Sequence, residues 1–267
     1  MRPGDLPHYE VFAVRYATVQ RRRSENFIVH DAHDGPMPMD YFVWLIRGAG
    51  GQWLVDTGFN ADAARERRRQ LLRSPIAALS TLGVAPAHIT DVIITHLHYD
   101  HAGNLDLVPG ARLHLQDREL QYSVSRAMGF KPLRQAYSVR DVQLMVARLY
   151  NDEIVFHDGD ERLAPGIELI HVGGHTKGLQ AVRVHTARGW VVVASDASHY
   201  YDNMLNEAPF PVVHDVAEML AGHRRLLSLG ESPRHVVPGH DPLVMRRYPR
   251  HGRPEDEIVA LHLEPVE

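Results

Sequence analysis

Cysteine is absent from the 267-residue chain, and that one lack removes disulfides, thiol catalysis and zinc–thiolate sites together. Lysine is nearly absent as well: Lys131 and Lys177 are the only two, so almost all the positive charge is arginine. No segment approaches the roughly 20 apolar residues of a membrane span. Met1 to Val19 has no uninterrupted apolar stretch behind a basic start, so an export signal is not expected and a cytoplasmic location is the default. Excess basic charge is missing too. A formal net charge of −4 argues against a general nucleic-acid-binding surface. The runs Arg21-Arg22-Arg23 and Arg67-Arg68-Arg69 read as solvated arginines offset by acids such as Glu25 and Glu66, rather than as phosphate contacts. Low-complexity linkers and sequence repeats are lacking, and residues 1–267 read as a single domain.

What is present is an alternation of short apolar runs with helical segments, the pattern of an α/β protein. Tyr41 to Ile46 and Trp53 to Val55 read as two strands joined by the turn Gly48 to Gly51, and Val92 to Thr95 as a short buried strand. Asn60 to Leu82 reads as helical, broken near Pro75 and stopped at Gly83. Arg112 to Leu115 reads as a strand. Gln116 to Tyr150 reads as mostly helical, interrupted around Gly129 to Pro132, and is the candidate lid over a site. Ile167 to Val172, Leu179 to His185, Trp190 to Ala194 and His235 to Val237 complete the expected strands, with a helix over Val212 to Leu229.

The informative stretch is Thr95-His96-Leu97-His98-Tyr99-Asp100-His101, which packs four potential ligands into six residues directly after an apolar run. Within a strand His96 and His98 share a face, and a loop at the strand end can turn Asp100 and His101 toward a neighbouring point. Three further segments repeat the design: strands that end in Gly173-Gly174-His175, Ser195-Asp196 and Pro238-Gly239-His240. Each alone reads equally as a surface or satisfied core residue. Together they collect at one sheet edge, where loops carry function on a rigid scaffold. The 19 histidines and the carboxylates suit zinc and other borderline divalent ions. Four ligands in one loop exceed the need of a single open ion, which points to two.

The stretch His96-x-His98-x-Asp100-His101, followed in order by His175, Asp196 and His240, resembles the metallo-β-lactamase superfamily, from Asp56-Thr57-Gly58 to Pro238-Gly239-His240. That resemblance implies a four-layer αβ/βα sandwich with two divalent metal ions, zinc by default, at one edge of the sheets. It assigns His96, His98 and His175 to one ion, Asp100, His101 and His240 to the second, and Asp196 as the bridge. Asp56 reads as a carboxylate that orients a ligand or, equally, as a turn-forming residue before Thr57-Gly58.

Within the superfamily the chain is most similar to the quorum-quenching N-acyl homoserine lactonases, in Thr95 to Asn104, Gly174-His175-Thr176 and Ser195-Asp196-Ala197-Ser198. It departs from them where their carbonyl-binding tyrosine stands, which here is His199 followed by Tyr200, and at Leu179, where they carry a second histidine. The implied reaction is opening of a small lactone by a metal-bridging hydroxide. Asp100 or Asp196 then serves as proton shuttle, and His199 or Tyr200 as the catalytic contact to the carbonyl. The small-molecule lactone or ester is the expected partner, with no nucleic acid or membrane; a homodimer is the commonest soluble oligomer and the default. Hydrolysis of an aromatic lactone, imide, β-lactam or glyoxalase II-like thioester is the alternative, and a non-catalytic metabolite-binding protein is the alternative from another class. Met37, Met39, Tyr41, Phe42, Met128, Phe130 and Met204 are candidates for an acyl pocket, set against ordinary core packing.

Overall fold

The computed structural model describes residues 6–29 and 33–266; Met1 to Asp5, the start of the segment read above for an export signal, lie outside the described residues. Val11 to Ala17 and Met39 to Ile46 are buried with almost no interruption, as strands covered on both faces require. They form β1 (Glu10–Val19) and β2 (Met39–Gly48), which pair antiparallel with Phe12 opposite Leu45. The turn at Gly48 leads into β3 (Gly51–Val55), closing the expected hairpin.

Period-two alternation sorts the side chains of these strands between two cores. Tyr41, Val43 and Leu45 of β2 join Phe12 and Val14 in a core shared with Leu79, Leu105, Leu120 and Met145 from helical segments. Phe42, Trp44 and Ile46 turn the other way, with Val11 and Ala13, and meet Leu169, Val182, Val184 and Val191 of a second sheet.

The first sheet continues through β4 (Gln70–Leu71), β5 (Asp91–Ile93), β6 (Arg112–Gln116) and β7 (Ile154–His157). The second is built from β8 (Glu161–Ala164), β9 (Ile167–His171), β10 (Gln180–Thr186), β11 (Gly189–Ser195) and β12 (Val236–Pro238). Finally β13 (Ile258–Ala260) returns to the first sheet beside β1. The orders are β13-β1-β2-β3-β5-β6-β7, with β4 against β1, and β12-β11-β10-β9-β8. Two sheets face to face with helices outside make the expected αβ/βα sandwich.

Two expected elements differ. Asn60 to Leu82 is not one broken helix: Ala61–Glu66 is helical, Gln70–Leu71 adds to β1, and Pro75–Ala78 and Leu79–Leu82 are single turns. Proline at the start of the second turn and the left-handed Arg68 (φ 54°) break the ladder. The stretch after His240, for which no helix was expected, holds the helix Leu243–Arg247. No helix among the described residues is long and apolar enough to cross a membrane.

Candidate metal centre

Functional side chains gather where strands of both sheets end. Beyond β3 and β11 the chain turns through left-handed residues that are not glycine, Asp56 (φ 60°) and Ser195 (φ 48°). Such conformations are disfavoured for residues with a Cβ and persist where the surroundings enforce them. Here Thr95, just past β5, supplies the tie: its amide and hydroxyl donate to the two Asp56 oxygens, each at 2.8 Å, and its hydroxyl lies 2.8 Å from that of Ser195. Ahead of His175, Gly173 (φ 70°) and Gly174 (φ 78°) make the corresponding turn, and a Cβ on Gly174 would lie 2.5 Å from the Met219 backbone.

These turns bring all seven candidate ligands together. The ring nitrogens His96 Nε2 and His175 Nε2 each lie 3.0 Å from His98 Nδ1. On the other side, His101 Nε2 and His240 Nε2 stand 3.1 Å and 2.9 Å from Asp196 Oδ1, with Asp100 Oδ2 3.9 Å from both nitrogens. The second oxygen of Asp196, Oδ2, is 3.1 Å from His175 Nε2 and 3.7 Å from His96 Nε2. One carboxylate therefore presents a separate oxygen to each set.

Outer hydrogen bonds fix which way the lone pairs point. His175 Nδ1 donates to the Val212 carbonyl at 2.7 Å, His240 Nδ1 to the Asp40 carbonyl at 2.8 Å, and His101 Nδ1 to Asp56 Oδ2 at 2.7 Å. Each inner Nε2 is thereby left as an acceptor, aimed at other acceptors. His101 Nε2, His240 Nε2 and Asp196 Oδ1 are buried with no hydrogen-bond partner. Acceptors packed this closely repel unless a cation lies among them, and imidazole with carboxylate is the donor set of borderline divalent ions. His96, His98, His175 and Asp196 form one suitable group, and Asp100, His101 and His240 another. Asp56 thus both orients the ring of His101, a candidate ligand, and forms the turn.

Electrostatics follow the same division. Burial, reinforced by neighbouring imidazoles, holds His96 and His98 well below the ordinary histidine range. Burial opposes charge on His101 and His240 too, but the carboxylates of Asp196 and Asp100 outweigh it and raise both. Asp196 is held well below the usual carboxylate range, because His199, His101 and His240 outweigh its burial.

His199 and Tyr200, the two candidates for the carbonyl contact, lie in different surroundings. His199 lies on the wall of a cavity of about 380 Å³ that opens onto the cluster. Its Nε2 is 3.2 Å from Asp196 Oδ2, its ring stacks on Phe210 at 3.8 Å, and burial pushes its pKa down to about 3. Tyr200 is fully buried, does not line the cavity, and donates to the Pro38 carbonyl at 3.2 Å.

Of the acyl-pocket candidates, only Met39 and Tyr41 line the cavity. Phe42 and Met204 belong to the inter-sheet core, Met128 packs at the edge of the other core, and Phe130 is 65% exposed. The expected lid segment contributes Gln135 and Ala136 to the wall. Reading both arginine runs as solvated also needs correction. Arg22 and Arg68 are exposed, but Arg21, Arg67 and Arg69 turn onto the cavity wall. Sequence gave no sign of Glu119, whose fully buried carboxylate accepts from the Leu97 and Gly178 amides and the Thr176 and Tyr137 hydroxyls, tying the His98 and His175 loops together.

Residues 37–240 match the Metallo-beta-lactamase superfamily. The chain belongs to that superfamily. Over 160 residues it is 32% identical to the N-acyl homoserine lactonase AiiB of Agrobacterium fabrum, spanning 58% of this chain and 56% of that relative, so the match covers little more than half of the relative's length. Against the N-acyl homoserine lactonase AiiA of Bacillus thuringiensis subsp. kurstaki it is 27% identical over 217 residues, 74% of this chain and 81% of the relative. Among solved structures, an N-acyl homoserine lactone hydrolase with bound N-hexanoyl-L-homoserine superposes with a TM-score of 0.74 at 20% identity, covering 89% of this chain and 95% of the other. The hydrolase AbOPH superposes with a TM-score of 0.72 at 15% identity, covering 97% and 98%. At those identities the structural likeness concerns the fold.

Proposed function

We propose that this superfamily member is a metal-dependent lactonase that opens a small lactone to its hydroxy acid. The reading is supported by the relatives named lactonase and carried by one observation: Asp196 offers a separate oxygen to each of two imidazole-rich sets whose lone pairs are turned inward. His96, His98 and His175 would hold one divalent cation, Asp100, His101 and His240 the other, with Asp196 between them and zinc the default metal. When bound, such a pair supplies hydroxide at neutral pH and polarises the scissile carbonyl.

The chain's own side chains do the rest. Asp100 is more open than Asp196, with a side chain 11% against 3% exposed. It takes the proton from the attacking water and returns it to the ring oxygen as the acyl C–O bond breaks. His199, neutral at ordinary pH, holds Asp196 Oδ2 from the cavity side, while Phe210 stacked on its ring limits water there.

A zinc-loaded sample screened on lactones of varied size, nitrocefin and a glutathione thioester tests this. Turnover of lactones in preference to the other two is expected. Turnover of nitrocefin or the thioester alone would replace the reading with the corresponding hydrolase, and tight lactone binding without turnover would make the protein a binding protein.

A further inference from the structure

We propose that the substrate carries its own carboxylate, held by Arg21 and Arg69, so that the ring opened here belongs to an acid-bearing lactone rather than one with a neutral acyl chain. This rests on the lactonase reading and narrows its substrate class.

Arg21 and Arg69 reach the cavity from separate loops, each one or two aromatic rings away from the acid–imidazole cluster. The Arg21 guanidinium lies 5.2 Å from the centroid of Phe210, whose other neighbour is His199. Arg69 Nε donates to the Tyr99 hydroxyl at 3.2 Å; that hydroxyl donates to Tyr41 at 3.4 Å, and the Tyr41 ring stands edge-on to His240 at 5.1 Å.

Both guanidiniums are half-buried and held in place by neutral acceptors. Arg21 donates through Nε to the Asn26 side chain and through Nη2 to the Glu25 carbonyl. Arg69 donates, besides Tyr99, through Nη1 to the Arg67 carbonyl. Among the described residues neither has a carboxylate partner, and each keeps a terminal nitrogen, Nη1 of Arg21 and Nη2 of Arg69, without an acceptor. Other half-buried arginines meet acids, as Arg15 meets Asp40 at 2.8 Å and Arg183 meets Glu168 at 2.9 Å, whereas Arg188, away from the cavity, spends its donors on the Leu261 and Arg234 carbonyls. Arg67, bound to the carbonyls of Gln135 and Tyr137, adds a further guanidinium to the same wall.

Fixed cations with no directly bonded carboxylate keep donors for an anion, and planar guanidinium groups match a carboxylate. Of the side chains expected to line an acyl pocket, Phe42, Met128, Phe130 and Met204 lie off the cavity, which leaves Met39 and Tyr41 beside the arginines.

The test compares kcat/KM for a γ-butyrolactone bearing a carboxylate with that for its primary amide. The wild-type chain is expected to prefer the acid by roughly tenfold to a hundredfold, the scale of a charge-assisted hydrogen bond. In the Arg21→Gln/Arg69→Gln double variant that ratio should collapse toward one, while exposed Arg68→Gln keeps it. An amide turned over as well as the acid by the wild type, or a preference that survives the double substitution, would overturn the proposal. If neither lactone is hydrolysed, the lactonase reading fails by itself, and calorimetry with glutarate decides the anion site. Binding that weakens about tenfold or more in the double variant supports it; equal binding removes it.

Discussion

Two parts of one cavity wall are built on opposite terms. In the acid–imidazole cluster the outer nitrogens of His101, His175 and His240 are spent on a fixed carbonyl or carboxylate, and their inner lone pairs are left facing their neighbours. Arg21 and Arg69, separated from the cluster by the rings of Phe210, Tyr99 and Tyr41, are held only by neutral acceptors and keep donors in hand. Rigid placement of the first kind suits a group that must hold cations in one geometry. Loosely committed cations suit selection among substrates. Damage to the cluster should therefore abolish chemistry on any substrate, whereas damage to the arginines should change preference.

The largest effect is expected from Asp196→Asn, which removes the charge that faces both imidazole sets. Metal content should fall from two equivalents to one or fewer, and turnover should drop on the order of a hundredfold to a thousandfold on every substrate. Retention of both equivalents and of activity would erase the contrast between the two parts of the wall. Next comes Asp56→Asn, which takes away the carboxylate that accepts from His101 Nδ1 and from Thr95. Chelator competition should show metal affinity weaker by about tenfold to a hundredfold, with acid-over-amide preference unaltered. The smallest effect belongs to Tyr200→Phe. Loss of its bond to the Pro38 carbonyl should cost about 1 kcal/mol in thermal unfolding and leave kcat/KM and metal content where they were, because the side chain does not line the cavity.

The same contrast explains what was legible in the sequence. His96 to His101, His175, Asp196 and His240 stand one to three residues beyond apolar strands, so element order alone brings them to one edge. The β2–β3 hairpin was readable from apolar runs on either side of a glycine turn. Strand β1 was missed, as were β7, whose apolar run Ile154 to Phe156 is short and only partly buried, and β8, which begins on Glu161 and Arg162. Glu119 sits in a short helix after β6 with nothing local to distinguish it from a solvated acid; its four donors come from distant loops. The arginine runs misled for a related reason. Neighbours in sequence, Arg68 and Arg69, point to solvent and cavity respectively, because Arg68 takes a left-handed backbone that no charge pattern announces.

Metal content after zinc loading and desalting is the most direct check on the cluster. Two equivalents per chain are expected, both lost together to a strong chelator along with lactone turnover. One equivalent, or none, in a folded sample would contradict the placement of Asp196 between two cations and everything built upon it.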